Sequence, residues 1–346
     1  MRGLAALYTF SIGPIFVALI LAASTLAATP ARAAAADDAA TAAAQLEFAR
    51  QLAHDGGPDE ASTLALLGKA RYQQSVIDAI TRPAEAKPWK EYRPIFVTER
   101  RIADGAAFYR ANSALLKRIE TQYGVPAELI VTILGVETNY GRVTGRYRVL
   151  DSLSTLAFHY PPRQDFFRSE LKQLILLRSP SFPYAPDELT GSYAGAMGWG
   201  QFMPSSVAQF ARDGDGDGKV DLWNSLPDIA ASVANYFVAH GWQKNGVVAL
   251  RASATETARA LTPGSLEPVY PLQQLNDWGY AVDAKLDPMT PATLIKLEGA
   301  DGAEFWVTFE NFYAISRYNR SPLYSLAVYQ LSQAIAAEVA TETAPP

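Results

Sequence analysis

The 346-residue sequence contains no cysteine. That excludes disulfides, thiolate metal sites and a cysteine-linked lipid anchor. Histidine is almost as scarce. His54, His159 and His240 are the only three and are widely scattered, which leaves no zinc site to assemble. Basic charge is not in excess either: 30 Lys+Arg face 35 Asp+Glu, a net charge of −5. A nucleic-acid partner, which needs a basic footprint, is therefore excluded. Beyond one apolar run at the start, from about Leu4 to Leu26, no second stretch of ~18 apolar residues is present to span a bilayer.

The first run has the signs of an export signal. Arg2 precedes it, Gly13 and Pro14 interrupt it, and Ala31-Arg32-Ala33 supplies a small-x-small cleavage pattern. Residues 1–33 are expected to be a cleaved signal peptide and the mature chain a soluble protein of the periplasm. Cleavage would remove two Arg and no acid, so 28 Lys+Arg would face 35 Asp+Glu and the net charge would become −7. The mature chain is globular in composition, with 49% hydrophobic and 19% charged residues over the full sequence. Core packing explains most of its 17 Tyr, 15 Phe and 6 Trp, while a surplus of Tyr and Trp also suits the flat faces of sugars.

Periodicity predicts a mainly helical chain. A helix is expected over Asp59–Ile80, capped by Asp59, with a linker over Pro83–Pro88. Thr98 should cap a second helix that Gly124 stops. Val125-Pro126 then opens a third, apolar nearly all round through Val136 and so buried, with Glu137 at its end. Further helices are expected at about Asp165–Leu177 and Leu226–His240. Residues 246–310 change to strand-like alternation and predict a small α+β subdomain. A last helix should run from Pro322 to about Ala336, followed by a tail over 337–346.

Glu137 is the candidate for chemistry. An acid that protonates a glycosidic oxygen must hold its proton near neutral pH, and an apolar setting at a helix C-terminus achieves this by disfavouring the charged form. The bland alternative is a Glu that only pairs or caps the helix end. A second motif spans Asp213 to Asn224. Asp213, Asp215, Asp217 and Asp221 stand at positions 1, 3, 5 and 9 of an EF-hand loop, Gly218 at the turn position, Lys219 where a backbone carbonyl is used, and Asn224 at position 12. A structural Ca²⁺ is expected, bound more weakly than by a Glu at position 12 because Asn offers one oxygen. The alternative is a plain acidic turn.

Gly135-Val136-Glu137-Thr138-Asn139-Tyr140-Gly141 resembles the catalytic signature of the membrane-bound lytic murein transglycosylase B family, within the lysozyme-like superfamily. The likeness continues through Leu150–Leu156, the glycine-rich run Gly191–Ser206, Ser232–Phe237, Asn311-Phe312-Tyr313 and Arg317-Tyr318-Asn319, and covers roughly residues 45 to 336. It implies a lysozyme-like helical core with a small β-containing subdomain, α+β in class. It also implies non-hydrolytic cleavage of the β-1,4 bond between N-acetylmuramic acid and N-acetylglucosamine in peptidoglycan. Glu137 would serve as the single acid/base and the product would be a 1,6-anhydromuramoyl end. By position, Ser192 matches a residue near the acid and the substrate acetamido group, and Gln201 a substrate-contacting amide. Tyr318 and Asn319 match the floor of the site; Tyr92, Tyr236 and Tyr324 match cleft tyrosines, although a Tyr taken alone is more often core. Arg163 matches an arginine facing the peptide stems.

The expected partners are peptidoglycan glycan strands, with cell-wall synthesis enzymes as further candidates, and the chain is expected to act as a monomer. Asp151 and Asp165 stand near Glu137 in sequence. They read as a hydrogen-bond or capping partner and as the cap of the Phe166–Leu177 helix, rather than as second catalytic carboxylates. Two rivals share the scaffold: a hydrolytic muramidase and a non-catalytic peptidoglycan-binding protein.

Overall fold

A computed structural model describes residues 30–82 and 87–341, with side chains from residue 38 onward. Of the expected leader only residues 30–33 are described, as the start of a helix, and residues 83–86 of the expected linker lie outside the described residues. The chain divides into two compact units after Ala42, and the second holds every strand and all but the first of the helices. Among the described residues, no helix is long and apolar enough to cross a membrane.

Helix α1 (Pro30–His54) delivers Ala49 and Leu52 to the core. The single helix expected over Asp59–Ile80 is in fact two, α2 (Glu60–Leu67) and α3 (Gln74–Ile80). Asp59 does cap the first, accepting the Ser62 N–H at 2.8 Å. The break has a tertiary cause: Asp151 accepts the Arg71 N–H at 3.0 Å and Thr155 that of Gln73 at 3.1 Å, replacing the bonds a continuous helix would make. After α4 (Trp89–Phe96), the helix expected from Thr98 to Gly124 is also divided. Thr98 caps α5 (Glu99–Ala111) and Gly124 stops α6 (Ser113–Tyr123) at φ +70, but Asn112 leaves the helical region between them.

Helix α7 (Ala127–Thr138) is the centre of the molecule. Every residue from Leu129 to Gly135 is buried, as its unbroken apolar sequence predicts. It is surrounded by α5, α6, α11 (Leu226–Ala239) and α14 (Pro322–Thr341). A two-stranded ribbon of β1 (Tyr147–Arg148) and β2 (Thr190–Gly191), with helices α8 (Val149–His159), α9 (Gln164–Leu176) and α10 (Pro204–Phe210), fills the segment between α7 and α11.

The strand-like segment forms one antiparallel sheet. Its strands are β3 (Ala249–Ala254), β4 (Tyr270–Pro271), β5 (Tyr280–Val282), β6 (Pro291–Gly299) and β7 (Gly302–Thr308), in the order β4-β6-β7-β3-β5, with α12 (Leu272–Asp277) beside them. Period-two alternation divides its burial. Ala292, Leu294 and Val307 pack into a small core of their own, while Ile295, Leu297 and Trp306 pack into the helical core. The chain then returns to α13 (Glu310–Tyr318) and α14. The fold is α+β, mainly helical, as expected. Helix α14 runs to Thr341, further than the Ala336 predicted, so residues 337–341 of the expected tail are helical.

Candidate active site at the end of the buried helix

Helix α7 ends abruptly. Asn139 and Tyr140 both take left-handed backbone, at φ +50 and +59, a conformation that costs a non-glycine residue about 1–2 kcal/mol. Hydrogen bonds hold them there: the Tyr140 N–H donates to the Leu134 carbonyl at 3.0 Å and the Val143 N–H to that of Thr138 at 3.0 Å. The turn throws the Tyr140 ring back against its own helix, stacked on Phe108 at 4.7 Å. A Cβ on residue 135 would meet the Tyr140 hydroxyl oxygen at 2.6 Å, which is why this position is glycine. Gly141, at φ +78, is required twice over, because a Cβ there would lie 2.0 Å from the Trp199 ring.

The glycine-rich run is bolted to this turn. The Thr138 hydroxyl donates to the Trp199 carbonyl at 2.9 Å and accepts the Gly141 N–H at 3.1 Å. Sequence reading passed over Thr138 as a linking residue; its place inside the signature, beside Glu137, was the available signal. Gln201 is the third non-glycine residue of the site with left-handed backbone, at φ +50. Its amide nitrogen donates to the Thr144 and Gly198 carbonyls at 3.1 and 3.0 Å, leaving the amide oxygen unpartnered among the described residues. The Ser192 oxygen accepts the N–H groups of Ala194 (3.3 Å) and Ala196 (3.0 Å), so its hydroxyl proton is left to donate elsewhere.

Glu137 is half-buried at the last turn of α7. Burial raises its carboxyl above the usual carboxylate range; the Tyr324 hydroxyl, donating to Oε1 at 2.5 Å, pulls the other way by stabilising the charged form. Among the described residues, no other carboxylate contributes to the shift. Three tyrosines feel the Glu137 charge. Burial first, then that charge, raises the hydroxyls of Tyr92, Tyr318 and Tyr324. Tyr318 is anchored by donating to the Gly200 carbonyl at 2.7 Å, which ties α13 to the glycine-rich run.

The remaining predicted residues are placed differently. Tyr236 lies behind Tyr318, ring to ring at 4.7 Å, with its hydroxyl donating to the Arg317 carbonyl at 2.6 Å. Burial pushes its hydroxyl up to about 12, and the charges acting on it are those of Arg317 and Arg320, not Glu137. Asn319 is exposed and its Oδ1 accepts the Ser321 N–H at 3.1 Å, leaving its amide N–H groups outward. Arg163 is exposed, its guanidinium over the Phe166 ring at 4.4 Å, and it makes no polar contact with the other predicted residues.

Other buried carboxylates are occupied elsewhere. Asp151 is buried and holds the Arg71 N–H, the Gln73 amide at 3.4 Å and the Arg148 guanidinium at 3.6 Å. Glu170 is buried and takes both the Ser205 N–H (2.9 Å) and its hydroxyl (2.7 Å). Asp165 does not cap α9 as expected: the helix begins one residue earlier, at Gln164, so Asp165 lies exposed within its first turn.

In the acidic loop, one oxygen from each of Asp213, Asp215 and Asp217 lies within 4.8 Å of the others. The backbone is curled around them. Asp213 accepts N–H groups from Gly216, Asp217 and Gly218, and these bonds, that of Gly218 foremost, hold its carboxyl below the usual range. Asp221 accepts the Trp223 and Asn224 N–H groups, each at 2.9 Å, and the Asn224 side chain donates to it at 3.0 Å. Asp228, unforeseen, holds the loop from behind by accepting the Gly214 and Asp221 N–H groups, both at 2.7 Å. The loop also reaches the site: the Trp199 N–H donates to the Leu222 carbonyl at 3.0 Å.

The transglycosylase SLT domain model matches residues 40–333, a span that includes Glu137, the glycine-rich run and the acidic loop. The chain belongs to this transglycosylase family. It is an enzyme of the lytic transglycosylase kind, as the signature around Glu137 led us to expect. It is 38% identical over 300 residues to membrane-bound lytic murein transglycosylase B of Escherichia coli (strain K12), covering 84% of this chain and 82% of that one. Among solved structures, the catenated lytic transglycosylase SltB1 from Pseudomonas aeruginosa superimposes with a TM-score of 0.81 at 45% identity, over 85% of this chain and 97% of that one. The Escherichia coli lytic transglycosylase Slt35, solved in complex with calcium, does so at 0.77 and 38%, over 86% and 94%.

Proposed function

We propose that this enzyme cleaves the β-1,4 bond between N-acetylmuramic acid and N-acetylglucosamine in periplasmic peptidoglycan without consuming water, and that Glu137 is its only acid/base. The observation that carries this reading is a desolvated carboxyl at the end of a buried helix, with Tyr324 as its one hydrogen-bonding partner and no second carboxylate acting on it among the described residues. Two-carboxylate glycosidases need a partner at about 5–10 Å to act as nucleophile or to activate water. Asp151 and Glu170 are committed to backbone and hydroxyl donors, so neither is available for that role.

In this scheme Glu137 starts protonated and gives its proton to the leaving glycosidic oxygen. The substrate's own acetamido carbonyl stabilises the positive charge that develops at C1. Glu137, now a carboxylate steadied by Tyr324, takes the proton from the muramoyl C6 hydroxyl, which bonds to C1 and closes the 1,6-anhydro ring. Ser192 has a proton to donate to the acetamido group, Gln201 an oxygen to accept from the sugar, and Asn319 amide N–H groups to donate. Tyr92, Tyr318 and Tyr324 form the wall around Glu137, Tyr236 supports Tyr318 from behind, and Arg163 meets the peptide stems.

Asp213, Asp215, Asp217, Asp221, the Lys219 carbonyl and Asn224 would hold a Ca²⁺ ion, and this donor set of hard oxygens fits one. The calcium complex of the related Slt35 supports the assignment. The ion would add rigidity to the loop whose Leu222 carbonyl carries Trp199. Replacing Glu137 with Gln should lower the rate of peptidoglycan cleavage by at least about 10³-fold, with binding to sedimented peptidoglycan and the melting temperature retained. Cleavage surviving within tenfold of the unsubstituted enzyme would overturn the assignment.

A further inference from the structure

One cavity of about 740 Å³ is not lined by Glu137. It lies between β6, the irregular segment 261–266 and the C-terminal end of α13, and its size falls within the roughly 300–1,000 Å³ of small-ligand sites. Lys296, Arg317 and Arg320 line it, and no Asp or Glu does. None of the three makes an ion pair among the described residues. In a chain with more acids than bases, three unpaired cations around one cavity call for an anionic occupant. Leu261, Leu266 and Ser265 line the same cavity, so the occupant meets apolar and hydroxyl-bearing residues as well as charge. Arg317 and Arg320 flank Tyr318 and Asn319, and Tyr318 is close enough to Glu137 to feel its charge.

We infer that this cavity binds a short peptide carrying several carboxylates: the stem attached to the muramoyl sugar, held by Lys296, Arg317 and Arg320. The inference rests on peptidoglycan being the substrate. Stem carboxylates would pair with the three cations, and the alanyl methyl groups and diaminopimelyl methylenes would cover the leucines.

The test is a nuclear magnetic resonance titration of the full chain with the free peptide L-alanyl-γ-D-glutamyl-meso-diaminopimelyl-D-alanine, beside its fully amidated analogue. The acid peptide should bind saturably, more weakly as salt is raised, and the amide should not bind. Lys296→Glu with Arg320→Glu, both exposed positions, should weaken the acid peptide at least about tenfold. No binding of the acid peptide at millimolar concentration, equal binding of the amide, or equal binding by the double variant would each overturn the assignment. Digestion of intact peptidoglycan by the unsubstituted chain runs alongside. Cleavage without peptide binding sinks the pocket and spares the catalytic reading; peptide binding without cleavage does the reverse.

Discussion

At Glu137 two effects oppose each other, and in the proposed mechanism their balance sets the working pH. Burial favours the protonated acid, while Tyr324 at 2.5 Å favours the carboxylate that the proposed mechanism forms in mid-reaction. In the proposed mechanism Glu137 begins as the acid, so kcat/KM should fall as pH rises through its raised pKa. Tyr324→Phe removes a bond to the charged form, so the pKa rises further and this alkaline limb should move to higher pH. A pH–rate profile on soluble glycan checks this; a limb that stays in place or moves lower contradicts the opposition described here. The tyrosines also mark the limit of reading residues one at a time. Tyr92, Tyr236, Tyr318 and Tyr324 are alike in sequence, and only tertiary packing separates the three that feel Glu137 from Tyr236, which stands behind them.

The elements around the site are held by a few contacts at which a single atom matters. In Gly141→Ala the new methyl must displace Trp199 and sit at φ +78, for a combined cost of about 2–4 kcal/mol. The expected outcome is a lowered melting temperature together with at least a tenfold loss of kcat/KM, because Trp199 carries the run holding Ser192 and Gln201. Calorimetry and initial rates measure the two, and an unchanged rate would show that the turn does not position the site. This level was partly legible in sequence. The buried helix α7, its Glu at the end and the caps at Asp59, Thr98 and Gly124 follow from local rules of burial and capping. The breaks at Arg71–Gln73 and Asn112 do not, because the first is made by Asp151 and Thr155 of a helix some 80 residues away in sequence. Asp228 was hidden for a similar reason. Three residues after Ser225 it reads as part of a helix cap, and Ser225 does accept its N–H, but its carboxylate turns back to hold the acidic loop.

Across the whole molecule, the acidic loop, the glycine-rich run and the end of α7 form one hydrogen-bonded chain, from the Leu222 carbonyl to the Trp199 N–H and from the Trp199 carbonyl to Thr138. An ion that binds only the folded loop should therefore stabilise the fold that carries the site. Saturating Ca²⁺ at 100 times its dissociation constant adds about 2.7 kcal/mol. The melting temperature should rise with Ca²⁺, fall back with a chelator, and fail to respond in Asp213→Ala; no response in the unsubstituted chain would remove the ion from the account. The central claim concerns the bond-breaking chemistry, and mass spectrometry of the products of purified peptidoglycan tests it most directly. The account predicts muramoyl ends one water lighter than those a hydrolase leaves, present with the unsubstituted chain and absent with Glu137→Gln. Hydrated reducing ends would contradict it and make the enzyme a muramidase.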